Sequence, residues 1–119
     1  PTRDFNYVED TCNALIALSN TEDALYQTVN IGSGKEISIN DTFLLISKLM
    51  NKKNKIAIDS SRKRPKKSEV ERLLCDNTKL RELTNFKSKY SLEKGLSKTI
   101  KWFSKKENLS KYKPDEYSI

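Results

Sequence analysis

The chain has 119 residues, 35% hydrophobic and 33% charged, and its 23 Lys and Arg against 16 Asp and Glu give a net charge of +7. That supports one domain, or a piece of a larger one, around a lean core, and apolar stretches such as 43–46 are far too short to span a bilayer. There is no His, and Cys12 and Cys75 form no CxxC pair, which argues against a zinc site and removes the commonest general base. In chain order, 3–8 reads as a short extended segment, with Phe5, Tyr7 and Val8 suited to a strand. Asp10 or Thr11 then caps a helix whose apolar face carries Cys12, Leu15, Ile16 and Leu18 and which ends at Asn20. Residues 25–31 read as a second strand, broken by the Gly32-Ser33-Gly34 turn. After a brief extended piece at 37–39, Asn40 or Asp41 caps a helix over 42–51, packed through Phe43, Ile46, Leu49 and Met50. Residues 55–59 read as a strand, followed by a basic loop over 61–67. The stretch 69–75 fits either a helical turn or an extended segment.

Asn77 or Thr78 caps a short helix through Leu83, and Asn85 can end it in the left-handed conformation. Ser91 caps the last long helix, where Leu92, Leu96, Ile100 and Phe103 recur at helical spacing. Beyond Lys106 the tail reads as loose. The order is β-α-β, β-α-β and two helices, an α/β class. Trp102 and Phe103 read as core, and the two cysteines as reduced thiols buried in a cytoplasmic protein. The start at Pro1 carries no signal-peptide pattern and suggests a processed or excised segment.

Net positive charge attracts phosphates, so a small basic nucleic-acid-binding or interaction module is one reading. It requires aromatics interleaved with Lys and Arg on one exposed face, whereas most aromatics here fall on expected core faces. Cofactor motifs are also absent. Gly34-Lys35 does not complete a P-loop, and three glycines cannot supply G-x-G-x-x-G.

Four blocks in order carry a resemblance. Thr2-Arg3-Asp4-Phe5-Asn6-Tyr7-Val8-Glu9-Asp10-Thr11 resembles a block of the extended short-chain dehydrogenases, and Val29-Asn30-Ile31-Gly32-Ser33-Gly34 resembles the next. Arg64-Pro65, followed by Ser68-Glu69-Val70-Glu71-Arg72-Leu73-Leu74, is similar to a block of their nucleotide-sugar 4,6-dehydratases. Tyr90-Ser91-Leu92-Glu93-Lys94-Gly95-Leu96, with Thr99-Ile100-Lys101-Trp102-Phe103, resembles the closing block. Together, in the right order, they are spread over nearly the whole chain up to Phe103. The block around Glu69 is closer to dehydratases than to epimerases.

The resemblance implies a fold division and a role. Residues 1–34 would end a Rossmann domain, 35–106 would form the small α/β substrate-binding domain, and 107–119 would be the tail. The active site would lie in the cleft between the domains. The Gly-rich NAD(P) loop, a Ser/Thr and a Tyr-x-x-x-Lys pair would belong to an N-terminal Rossmann domain missing here. This segment would then carry no catalytic or cofactor-binding residue and be inactive alone. Its parent would be an NAD(P)-dependent lyase or isomerase acting on a nucleotide-diphosphate sugar, a cytoplasmic homodimer with no nucleic-acid or membrane partner. Without that domain, Leu15, Ile16, Leu18 and Val29 would lose part of their cover.

By the same resemblance, Arg3 reaches the substrate diphosphate, where a guanidinium fork matches phosphate oxygens; otherwise it is a surface Arg paired with Asp4 or Glu9. Asn30 faces the nucleotide-sugar, or caps the turn. Arg64 reaches a second phosphate or the ribose and converges with Arg3, or belongs to a solvated basic run. Glu69 accepts from ribose hydroxyls, or favours a helix N-terminus. Arg72 reads as a structural partner of Glu69 or Asp76. Tyr90 and Lys94 match Tyr-x-x-x-Lys by letters only, since Ser91 caps the helix and leaves Tyr90 outside it.

Overall fold

The computed structural model describes residues 1–53, 55–56 and 70–112. Strand β1 (Thr2–Arg3) is central in a small three-stranded sheet of order β2-β1-β3. It pairs antiparallel with β2 (Ile37–Ser38) and parallel with β3 (Arg72–Leu73), with Thr2 opposite both Ser38 and Arg72. Glu36 ties all three strands together. Its carboxylate accepts from the Thr2 hydroxyl at 2.7 Å and pairs with the Arg72 guanidinium at 2.6 Å. Arg72 therefore has the structural role expected of it, but with Glu36 as its partner. The 69–75 stretch is extended at 72–73.

The first strand is shorter than expected. Pairing stops before Asp4, whose carboxylate turns toward the Gly32–Gly34 segment, and helix α1 (Val8–Ser19) starts at once. The Tyr7 carbonyl accepts from the amides of Asp10 and Thr11 at 2.9 and 3.1 Å, which makes Tyr7 the cap residue rather than Asp10 or Thr11. Glu9 and Asp10 lie in the first turn, where the positive end of the helix dipole favours carboxylates. Asn20 ends α1, as expected.

After a 3-10 turn at Glu22–Ala24, the expected strand over 25–31 does not form. The residues are strand-like, but no other strand among the described residues lies alongside to pair with them. Tyr26 interrupts the extended run at φ 61°, and the Thr28 carbonyl accepts from Lys79 Nζ at 3.1 Å instead of from a ladder.

Helix α2 (Ile39–Leu49) begins three residues earlier than expected. The Ser38 hydroxyl accepts from the Asp41 amide at 3.0 Å and donates to the Asp41 carboxylate at 2.6 Å, so Ser38, not Asn40 or Asp41, is the cap. Helix α3 (Thr78–Thr84) runs from Asn77 to Asn85, which takes the left-handed φ of 53° expected of it. Helix α4 (Leu92–Phe103) is capped by Ser91, which accepts from the Lys94 amide. The segment beyond Lys106 starts as a further helical turn, α5 (Lys106–Leu109). There Asn108 is buried and donates to the Trp102 carbonyl at 2.9 Å, and Tyr112 packs on Phe103.

The core is small. Ala14 of α1 and Leu80 of α3 are its buried hydrophobic residues among those described. Leu92, Leu96, Ile100 and Phe103 are half-buried along one side of α4, as their spacing implies, while Trp102 is partly exposed at an edge contact with Phe103. Neither cysteine is fully buried. Cys12 is exposed and Cys75 half-buried, and both are free thiols. Of the α1 residues expected to lack cover, Leu15 and Ile16 stand 55% and 58% exposed, and Leu18 is half-buried, as is Val29. No helix among the described residues is long and apolar enough to cross a membrane.

Candidate functional site

The loop between β1 and α1 forms the floor of a cleft of about 670 Å³. Phe5, Asn6 and Tyr7 line this floor; Ser33, Lys35 and Glu36 form one rim, and Ser88, Tyr90 and Ser91 lead into α4 on the other. Aromatic faces, hydroxyls and one lysine offer stacking and hydrogen bonding together, the mixture that small-ligand clefts use.

Two acidic side chains hold the rims. Asp4 accepts from the Ser33 amide at 3.0 Å, the Ser33 hydroxyl at 2.5 Å, the Gly34 amide at 2.9 Å and the Cys75 amide at 3.3 Å. Gly32 is needed beneath this clasp, since a Cβ there would come within 2.4 Å of Cys75 Cβ. The Cys75 thiol pKa is raised, first by burial and then by the charges of Asp4 and Asp76, which disfavours the reactive thiolate. Asp10, 1% exposed, accepts from the Lys89 and Tyr90 amides at 2.9 and 3.1 Å and so fixes the other rim. Neither Asp4 nor Asp10 stood out in the sequence as a hub. Each bonds across 29 or more residues, a distance that no local motif encodes.

Beside the second rim, the Tyr90 hydroxyl donates to Glu9, and Lys98 Nζ donates to Glu9 at 2.8 Å and to the Tyr90 oxygen at 3.3 Å. The ammonium also lies 4.8 Å from the Tyr90 ring centre and 5.6 Å from that of Tyr7. Hydrogen bonds from Lys98 and then Tyr90 hold the Glu9 carboxyl below its ordinary pKa, and the bond to Glu9 raises that of Lys98. Burial, followed by the Glu9 charge, raises that of Tyr7. Tyr90 lies outside α4, so its spacing from Lys94 has no catalytic geometry.

Arg3 sits on β1, half-buried, and its Nη1 donates to the carbonyls of Thr2 at 2.7 Å and Val70 at 2.8 Å. The second of these clasps it onto the segment leading into β3. Asn30 is exposed ahead of the Gly turn. Neither residue lines the cleft. Arg64 and Glu69 lie outside the described residues, as do most of the 55–59 strand and the whole 61–67 loop. The expected convergence of Arg64 with Arg3 lies outside the described residues as well.

The Gly32-Ser33-Gly34 turn does not fit the pyrophosphate of a dinucleotide. A Gly-rich turn cradles pyrophosphate with open backbone amides, but at Gly32-Ser33-Gly34 the amides of Ser33 and Gly34 already bond Asp4, whose charge repels phosphate. Among the described residues no group of three or more His, Cys, Asp or Glu is placed to hold a metal ion.

Residues 1–99 match the family described as GDP-mannose 4,6 dehydratase. The chain is 34% identical over 103 residues to a probable GDP-L-fucose synthase 1 of Oryza sativa subsp. japonica, covering 87% of this chain and 30% of that protein. Its fold matches an epimerase of Methanothermobacter thermautotrophicus with a TM-score of 0.78 and 29% identity, over 92% of this chain and 31% of that one. The enzyme WbmF of Bordetella bronchiseptica, solved in complex with NAD+ and UDP, matches with a TM-score of 0.65 and 35% identity over the same shares. The chain thus spans about a third of the length of these relatives.

Proposed function

The chain belongs to the nucleotide-sugar epimerase/dehydratase family of short-chain dehydrogenases, and on that premise we propose that it forms the nucleotide-sugar-binding part of an NAD(P)-dependent dehydratase or epimerase. The observation that carries this reading is the fold match, over 92% of the chain, to an enzyme solved with NAD+ and UDP. In this reading the catalytic and dinucleotide-binding groups come from a Rossmann domain outside these 119 residues, because the Gly turn here is occupied by Asp4. The parent is a cytoplasmic lyase or isomerase, and a homodimer. The divergent names of its relatives, a synthase and an epimerase, support a shared sugar-nucleotide scaffold rather than one reaction. These relatives lend no support to a nucleic-acid-binding module.

This chain supplies binding and orientation. Phe5 and Tyr7 offer faces for stacking, and Ser33, Asn6 and Lys35 offer polar contacts at the cleft. Arg3, Asn30, Arg64 and Glu69 are the proposed contacts to diphosphate, sugar and ribose. Residues 1–34 belong with the Rossmann domain, 35–106 form the substrate-binding unit and 107–119 the tail. The test is a comparison of the 119-residue chain with the longest natural polypeptide that contains it. Turnover of GDP-mannose or UDP-glucose with NAD+ is expected from the long form only. In the long form Arg3→Lys should raise KM for the sugar nucleotide by about tenfold or more, since one charge-assisted bond is worth roughly 1.5–3 kcal/mol. Turnover by the short chain, or an unchanged KM, overturns the reading.

A further inference from the structure

We infer that Glu9 and Lys98 are positioning residues for the cleft, acting through Tyr90 to hold the 88–91 rim at its working distance from the floor. The inference rests on the sugar-nucleotide reading above. The rim is a connection between α3 and α4 with no strand partner among the described residues. Its backbone is held by Asp10 through two amides, but that leaves the Tyr90 ring to be placed separately. Three contacts place it. Its hydroxyl donates to Glu9, its ring leans on Tyr7 with centres 4.8 Å apart, and Lys98 caps it from above at 4.8 Å. Lys98 reaches across from the second turn of α4, while Glu9 and Asp10 sit together in the first turn of α1. One helix turn thus fixes both the backbone and the side chain of the opposing rim.

An exposed ion pair alone contributes little to stability, and Glu9 and Lys98 keep 46% and 47% of their side-chain surface in solvent. Their arrangement is better suited to orientation: the ammonium is shared between a carboxylate, a phenol oxygen and two ring faces, which leaves the Tyr90 ring few alternatives. Tyr7 and Tyr90 both line the cleft, so the packed pair of rings is one surface that a ligand meets.

The test uses the longest natural polypeptide containing the chain, with Lys98→Met, Glu9→Gln and Lys98→Arg variants. Affinity for UDP-glucose and GDP-mannose is measured calorimetrically, and hydrogen exchange is followed at the Lys89 and Tyr90 amides with α2 amides as reference. Lys98→Met and Glu9→Gln should weaken binding about threefold to tenfold and speed exchange at 89 and 90 but not in α2, and Lys98→Arg should restore both. Unchanged exchange at 89 and 90 overturns the hold on the rim. Faster exchange with unchanged affinity overturns its role in binding. If the unaltered protein binds neither sugar nucleotide, the functional reading falls and takes the ligand half of this inference with it, while exchange still decides whether the rim is held.

Discussion

Asp4 shows how much one side chain can organise. It accepts four hydrogen bonds from two segments that are 29 and 71 residues away, and three of its donors are backbone amides or a hydroxyl in the Gly turn. Removing it strands those donors, so Asp4→Ala should cost about 2–4 kcal/mol in urea unfolding, against about 1 kcal/mol for Ser33→Ala. Equal costs for the two would show that the clasp does not depend on the carboxylate. Glu36 makes a pH-dependent contribution. The bond from Arg72, then that from Thr2, lowers its pKa from 4.5 to about 2. A depressed carboxyl stabilises the fold above its unfolded pKa, and the contribution is lost as pH falls through the folded value. The unfolding midpoint should therefore fall between about pH 4.5 and 2, and Glu36→Gln should flatten that part of the profile. A Glu36→Gln profile parallel to the unaltered one would remove Glu36 as the cause. Neither role was legible in the sequence, where Asp4 stood beside Arg3 as its natural partner and Arg72 beside Glu69 and Asp76. Nearness in sequence is a poor guide once a side chain points across a sheet.

Some helix ends were legible where strands were not, although Tyr7 and Ser38, rather than the expected residues, open α1 and α2. Ser91, Asn20 and Asn85 act where their residue types imply, because a cap is decided by a side chain and backbone within a few residues. Residues 25–31 have the composition of a strand, yet a strand exists only when a neighbour supplies the ladder, and composition does not reveal a neighbour. Close packing between elements is likewise hidden. Gly95 sits in the first turn of α4 directly against Tyr7, and a Cβ there would meet Tyr7 Cβ at 3.1 Å and Cδ2 at 3.2 Å. In an isolated helix Gly→Ala is worth about 1 kcal/mol of stabilisation. Here the contact includes the stiff Cβ of Tyr7, so Gly95→Ala should destabilise the chain by about 1–2 kcal/mol in a thermal melt. A rise in melting temperature would show that α4 can shift away from the floor without cost.

Large apolar side chains stand exposed on the described part of the molecule, whose buried core is small. Val8, Leu15, Ile16, Leu25 and Tyr26 are exposed, Tyr26 at 105%. Resemblance to longer proteins made the bareness of Leu15 and Ile16 foreseeable, while periodicity alone suggested a packed face. Uncovered side chains of this kind drive self-association. A Leu15→Glu, Ile16→Lys double variant of the isolated chain should therefore remain monomeric by light scattering at concentrations where the unaltered chain associates. In a longer polypeptide whose further domain covers this surface, the same pair should lower stability instead. Matching behaviour in both contexts would count against a covering domain.

The parallel pairing of Thr2 with Arg72 joins residues 70 apart in sequence. During synthesis β1 therefore leaves the ribosome long before its parallel partner exists; at about 5–20 residues per second the wait is roughly 4–14 s. Helices α1 and α2 close their own local hydrogen bonds in far less time, and β2 can reach β1 earlier. The central strand thus emerges before both of its neighbours and is last completed on its β3 edge, where loop closure must be met before pairing gives any return. Ribosome-stalled chains ending shortly before and well after Arg72 should differ sharply in protease resistance around Thr2 and Arg3, which makes the order of assembly measurable.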